Sequence, residues 1–93
     1  MRTIERSSQF RRDYKRESKG QHRVTLDDDL VSVVMALANE RPLEARHRDH
    51  SLSGEWIGYR ECHVKPDLLL IYRKPDEESL WLVRLGSHSE LFG

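Results

Sequence analysis

DHSLSGEWIGYRECHVKPD, residues 49–67, is the stretch whose reading decides the fold. From Trp56 to Val64 its side chains divide by alternation. Ile57, Tyr59, Glu61 and His63 fall on one side, and Trp56, Gly58, Arg60, Cys62 and Val64 on the other, which is the period of a strand. Lys65-Pro66 then makes a tight turn. The next run, Leu68 to Arg73, is almost wholly apolar, as expected of a central strand covered on both faces. Reading outward, Pro75 to Glu78 turns the chain and Ser79 to Leu85 is a third strand, broken at Gly86. Ser87 and Glu90 have the S-x-x-E spacing of a capping box and begin one short helical turn.

Toward the N-terminus, Leu43 to Glu55 is polar and irregular, a loop long enough in so small a chain to suggest function. Before it, Leu26, Leu30, Val33, Val34, Leu37 and Ala38 recur at helical spacing. Thr25 opens that helix, with Asp28 placed as a capping partner, and Pro42 ends it by barring helical geometry at Arg41. An earlier helix starts at Ser7 or Ser8 and stops at Gly20 after about Lys19. Its apolar stripe is only Phe10 and Tyr14, one turn apart. Met1 to Arg6 reads as a short strand. The order is strand, two helices, then a three-strand meander. The expectation is a single α+β domain, residues 1–93, with two N-terminal helices packed on one face of a small antiparallel sheet.

Ninety-three residues bury a thin core. Formal net charge is zero, but the balance is uneven: before Thr25, eight basic residues face three acidic ones. A basic face of this kind tracks a polyanion, or is simply a solvated helix surface. The lone cysteine, Cys62, rules out an internal disulfide and a cysteine-based metal site. Its place in an alternating strand makes it a small core residue. No apolar leader and no run of about 18 apolar residues is present, so neither export nor a membrane span is expected and the location is cytoplasmic.

The chemistry-bearing residues are His50, His63 and His88 with Asp67 and Glu61. Alternation puts Glu61 and His63 on one side, and the Lys65-Pro66 turn is expected to bring Asp67 near His63, unless Asp67 is simply a turn residue. Metal-free RNA cleavage uses the ribose 2′-OH as nucleophile. It needs a base for that proton, an acid for the departing 5′-oxygen, and a cation for the phosphorus centre. Imidazole serves both proton roles near neutrality. Arg60, Arg84 or Lys65 would hold the phosphate. His22 and His47 lie in polar loops and read as solvent-facing. Trp56 reads as core, Tyr59 as a base-stacking residue, and Phe92 as a staple or stacking platform. A metal site is the rival use of the histidines, but no H-x-H, H-E-x-x-H or C-x-x-C spacing occurs, and no metal or other cofactor is expected.

The run D-H-x-L-x-G-x-W-x-G-Y-R-E-x-H-V-x-P-D, followed by L-x-L-I-Y and R-x-G-S-H-x-x-L-F, resembles the YafQ branch of the RelE/ParE toxin superfamily. The likeness is detailed over the C-terminal half and extends to helix order in the N-terminal half. It implies a ribosome-dependent mRNA endonuclease of a type II toxin–antitoxin system. Such an enzyme cuts mRNA in the ribosomal A site without metal and is silenced by a cognate antitoxin. The catalytic positions it implies are His50, His63, Asp67 and His88, with Phe92 assisting. Glu61 stands where the pattern has Asp. The basic residues of the first helix, Arg11, Arg12, Lys15 and Arg16, would then settle on ribosomal RNA. Two other readings stay open at this point: a relative on the same fold that inhibits a protein target such as gyrase, and a zinc hydrolase.

Overall fold

The chain's alternating and helical segments form, in order, β1 (Thr3–Arg6), α1 (Ser8–Glu17), α2 (Leu26–Ala38), β2 (His50–Ser51), β3 (Arg60–Lys65), β4 (Leu68–Arg73), β5 (Ser79–Gly86) and α3 (His88–Phe92). The structure, a computed structural model, describes all 93 residues. The strands make one sheet in the order β1-β5-β4-β3-β2. β3, β4 and β5 are the expected antiparallel meander. β1 adds to the free edge of β5 and runs parallel to it, so the sheet is mixed rather than wholly antiparallel. The α+β class stands. The two helices carry the chain over one face between β1 and the meander, and β1 therefore meets β5 in the same direction.

The main core lies under those helices. Phe10 from α1 and Leu26, Leu30, Val33, Val34, Leu37 and Ala38 from α2 meet Cys62, Val64, Leu68, Leu70, Tyr72, Leu80, Leu82 and Leu85 from the sheet. Cys62 is fully buried, and burial together with the nearby Asp49 and Glu61 pushes its thiol up to about 12, so it is an inert core residue. A smaller cluster, Leu69, Ile71 and Leu91, sits on the opposite face, where Leu52, Trp56, Tyr59 and Val83 lie against it. That second face is the one left open by the helices. No helix is long and apolar enough to cross a membrane.

Three boundaries differ from the sequence reading. α2 ends at Ala38, before Pro42 can act, because Glu40 turns to positive φ. The α2 capping box does not form: Thr25 instead accepts a hydrogen bond from the Lys65 ammonium at 2.7 Å, and Asp29 takes the same ammonium. The strand expected from Trp56 begins only at Arg60, because residues 54–56 form a 3₁₀ turn and Gly58 adopts a φ of 90° that side chains resist.

One buried charge ties α1 to the sheet. Asp13 is 4% exposed. Its carboxylate accepts from the Leu85 backbone N–H at 3.0 Å, from Arg84 at 2.7 and 3.2 Å, and from Arg16 at 3.1 Å. β5 carries an irregularity here: Ile71 pairs with Arg84 but Tyr72 with Leu82. The extra residue re-aims Leu85 into the core and turns its N–H toward α1. Burial alone would raise the Asp13 pKa. The Arg84 and Leu85 hydrogen bonds and the two guanidinium charges outweigh it and hold the group below the usual carboxylate range.

Asp13→Ala is expected to destabilise the fold by about 3 kcal/mol, because it strands two arginines and a backbone donor. A lowered denaturant midpoint at unchanged slope is the readout. A depressed carboxylate stabilises above its unfolded value, near 3.8, and that contribution is lost as pH falls through the lower folded value. Acid unfolding of the wild type should therefore begin below about pH 4 and be blunted in Asp13→Ala.

Candidate active site on the open sheet face

Period-two geometry on β3 sends Cys62 and Val64 into the core and Glu61 and His63 to the opposite face. β2 is only two residues long, but it pairs antiparallel with β3 and sets His50 directly opposite Glu61. α3 begins immediately beyond β5 and brings His88 to the same place. One Glu61 carboxylate oxygen, Oε1, lies 3.7 Å from His50 Nε2, 3.9 Å from His63 Nε2 and 4.0 Å from His88 Nε2. The His63 and His88 rings are 6.0 Å apart. Residues separated by up to 38 positions in sequence thus share one carboxylate.

The rings are oriented from behind. His50 Nδ1 lies 2.6 Å from the Arg48 carbonyl, and His63 Nδ1 3.2 Å from the Pro66 carbonyl. A carbonyl only accepts, so Nδ1 carries the proton in both, and Nε2 of each faces Glu61. His47, expected to be an idle surface residue, contacts the His63 backbone carbonyl through Nδ1 at 2.6 Å and braces β3. Exposure then separates the three: the side chain of His88 is 65% exposed and that of His50 50%, but that of His63 only 13%. The first two reach solvent on either side of the carboxylate, and the third is largely covered.

The helix that carries His88 is held by a polar clasp. Ser87 and Glu90 form the capping box read from the sequence. The Glu90 carboxylate also takes Arg16 at 2.9 Å, and Arg16 reaches the Leu85 carbonyl at 2.9 Å. The Ser87 backbone N–H, with smaller help from Arg16, lowers the Glu90 pKa. A Cβ on Gly86 would come within 2.8 Å of Arg16 Nη2 and 3.2 Å of Glu90, so the clasp depends on a glycine there. Phe92, half exposed, lies 6.0 Å from His88 and 6.2 Å edge-on to Trp56, which meets Tyr59 at 5.4 Å. Trp56 therefore belongs to the small cluster on the open face and not to the main core.

Several sequence expectations are corrected by this geometry. Asp67 does not sit against His63: its carboxylate holds His22 at 2.8 Å and Gln21 at 3.0 Å, pinning the turn whose Pro66 carbonyl aligns His63. His22 is accordingly a partner and not a bystander. Glu61, expected among the substrate-binding residues, is only 3% exposed and faces the three imidazoles. Arg60 alternates to the far side of β3 and binds Asp49 and the Tyr72 hydroxyl, each at 3.3 Å. Tyr72 donates to Asp49 at 2.5 Å, and burial together with that bond raises its pKa. Arg84 is engaged by Asp13, Lys65 by Asp29, and Arg16 by Asp13, Glu17 and Glu90. Arg11, Arg12 and Lys15 are exposed on α1, and no carboxylate lies within ion-pair distance of any of them. The one signal for Glu61 as the hub was its alternation with His63. Nothing local announced β2, because two residues carry no period.

Residues 2–93 match a family model described as the bacterial toxin of type II toxin–antitoxin system, YafQ. The mRNA interferase toxin YafQ of Escherichia coli K12 is 42% identical over 94 residues, covering 99% of this chain and 97% of that one. The E. coli DinJ–YafQ complex contains a chain that superposes with a TM-score of 0.85 at 40% identity, covering all of both chains. A metal-bound toxin from Helicobacter pylori gives a TM-score of 0.85 at 48% identity, covering 99% of this chain and 100% of that one.

Glu90→Ala removes the capping box and the Arg16 pair together. It should weaken α3 by about 1 kcal/mol and speed amide exchange at Leu91 and Gly93, while amides in β3 and β4 keep their protection.

Proposed function

The chain belongs to the YafQ family of bacterial toxins from type II toxin–antitoxin systems, and on that premise we propose that it is an mRNA endonuclease cutting by acid–base catalysis at the His50–His63–His88 cluster. The observation that carries this reading is the single carboxylate oxygen within 3.7–4.0 Å of three imidazole Nε2 atoms, two of them on exposed rings. His50 takes the proton from the ribose 2′-OH. The 2′-oxygen forms a bond to phosphorus, and the bond to the 5′-oxygen breaks as His88 delivers a proton to it. The products are a 2′,3′-cyclic phosphate and a free 5′-hydroxyl. The covered His63 supplies charge and shape beside the phosphate in place of Arg60 and Arg84. Glu61 holds the three rings at one point and balances their charge. Asp67 is a positioning residue acting on His63 through the turn. Phe92 offers a ring to a base beside the cut.

A cognate antitoxin is the first partner, by analogy with the DinJ–YafQ complex of E. coli. Ribosome and mRNA are the others, met in the cytoplasm during translation. The unpaired Arg11, Arg12 and Lys15 support docking on ribosomal RNA. A toxin from H. pylori is metal-bound, yet no group of three or more histidine, cysteine or carboxylate side chains here is arranged to hold a metal ion.

Mapping of mRNA 5′ ends on translating ribosomes tests the proposal. His50→Ala and His88→Ala should each slow cleavage by about 10²–10⁴-fold while leaving stability within about 0.5 kcal/mol. Glu61→Gln keeps the shape and removes the charge, and should also cut slowly. If His50→Ala, His63→Ala and His88→Ala all cleave at the wild-type rate, the assignment is wrong. Toxicity without any cut would favour the gyrase-type inhibitor. A zinc- and copper-selective chelator, with magnesium kept for the ribosome, should leave the rate unchanged.

A further inference from the structure

The open sheet face continues past the histidines to a second feature at the β1–β5 edge. There a recess of about 300 Å³ is lined by Glu5, Arg6, Tyr59, Trp81 and Val83 among others. Trp81 is 38% exposed, unusual for so large an apolar side chain on a small domain. Its polar edge is already satisfied, because the indole N–H donates to Glu5 at 2.9 Å. The Arg73 guanidinium lies 5.4 Å from the Tyr59 ring centroid and 6.0 Å from that of Trp81, bridging the two. Both rings are therefore held in place before anything binds. What they offer a ligand is aromatic surface rather than hydrogen bonds. Arg6 at the rim is exposed, and no carboxylate lies within ion-pair distance of it. Glu5 keeps its charge in that hydrogen bond, but Arg6 and the Arg73 guanidinium set two cations against this one carboxylate around the recess.

The recess is also continuous with the catalytic cluster. Rings succeed one another at 5.4, 6.2 and 6.0 Å from Tyr59 through Trp56 and Phe92 to His88. Flat ligands with an anionic backbone, arranged in series, fit such a surface, and single-stranded RNA is that ligand.

We propose that the Tyr59–Trp81 recess is a second RNA subsite, which stacks one unpaired mRNA base flanking the cut while Arg6 meets its phosphate. The subsite contributes affinity and not chemistry. This rests on the endonuclease reading above. The test is single-turnover cleavage of ribosome-bound mRNA at increasing toxin concentration. Trp81→Ala should raise the half-saturating concentration about 5- to 100-fold, the range for losing one stacked base, with the limiting rate within twofold. Trp81→Phe keeps a ring and should restore most of the affinity, with thermal melts verifying that both variants fold. Abasic substitution at the seated mRNA position should weaken the wild type by the same factor and have no further effect on Trp81→Ala. Normal saturation by Trp81→Ala would overturn the proposal. So would abasic effects that add to that variant at every position on both sides of the cut, since the occupant would then not be an mRNA base. A wild-type protein that leaves ribosome-bound mRNA uncut sinks the endonuclease reading itself, and this subsite with it.

Discussion

Burying an unpaired carboxylate costs several kcal/mol, so a strand that leaves Glu61 only 3% exposed, even on the helix-free face of the sheet, must bring groups able to carry positive charge to meet it. Three imidazoles do so here. Each comes from a different element: β2, β3 and α3. The requirement therefore reaches beyond the site. β2 must pair in the register that sets His50 opposite Glu61, and α3 must dock at the end of β5. The separations of 3.7–4.0 Å are longer than hydrogen bonds, so no short bond to the carboxylate occupies the three Nε2 atoms.

A second buried carboxylate, Asp13, does for the scaffold what Glu61 does for the site. It joins α1 to the irregular stretch of β5, and Arg16 carries the connection on to Glu90 and the His88 helix. Four basic residues expected near RNA, Arg16, Arg60, Lys65 and Arg84, are consumed by this kind of internal pairing. Arg11, Arg12 and Lys15 on the outer surface of α1, and Arg6 beside the aromatic recess, are among the exposed basic residues left without an ion pair, with Lys19, Arg23, Arg41 and Arg48. In the proposed reading, cleavage and docking fall to different residues: the imidazoles around Glu61 for one, unpaired guanidinium and ammonium groups for the other.

Much of the framework was legible in the residues alone. The helical spacing of Leu26 to Ala38, the alternation of Glu61 to Val64 and the apolar run from Leu68 are local patterns, and local backbone geometry follows from them. The Ser87–Glu90 box and the grouping of His50, His63 and His88 were equally readable. Local pattern misled where a long-range partner decided the outcome. Thr25 looked like a capping residue but answers Lys65, forty positions away. Asp67 looked like a neighbour of His63 because it is near in sequence, yet its oxygens point to His22 and Gln21.

The sequence by itself determined the α+β class, the helices, the meander and the set of histidines, because periodicity and capping act over a few residues. Only the tertiary structure decided that β1 joins in parallel, that Glu61 is the point where the imidazoles meet, and that four arginine and lysine side chains are already paired. Ion pairs are chosen by which charges burial brings within a few ångströms, and that depends on the packed arrangement of the whole chain.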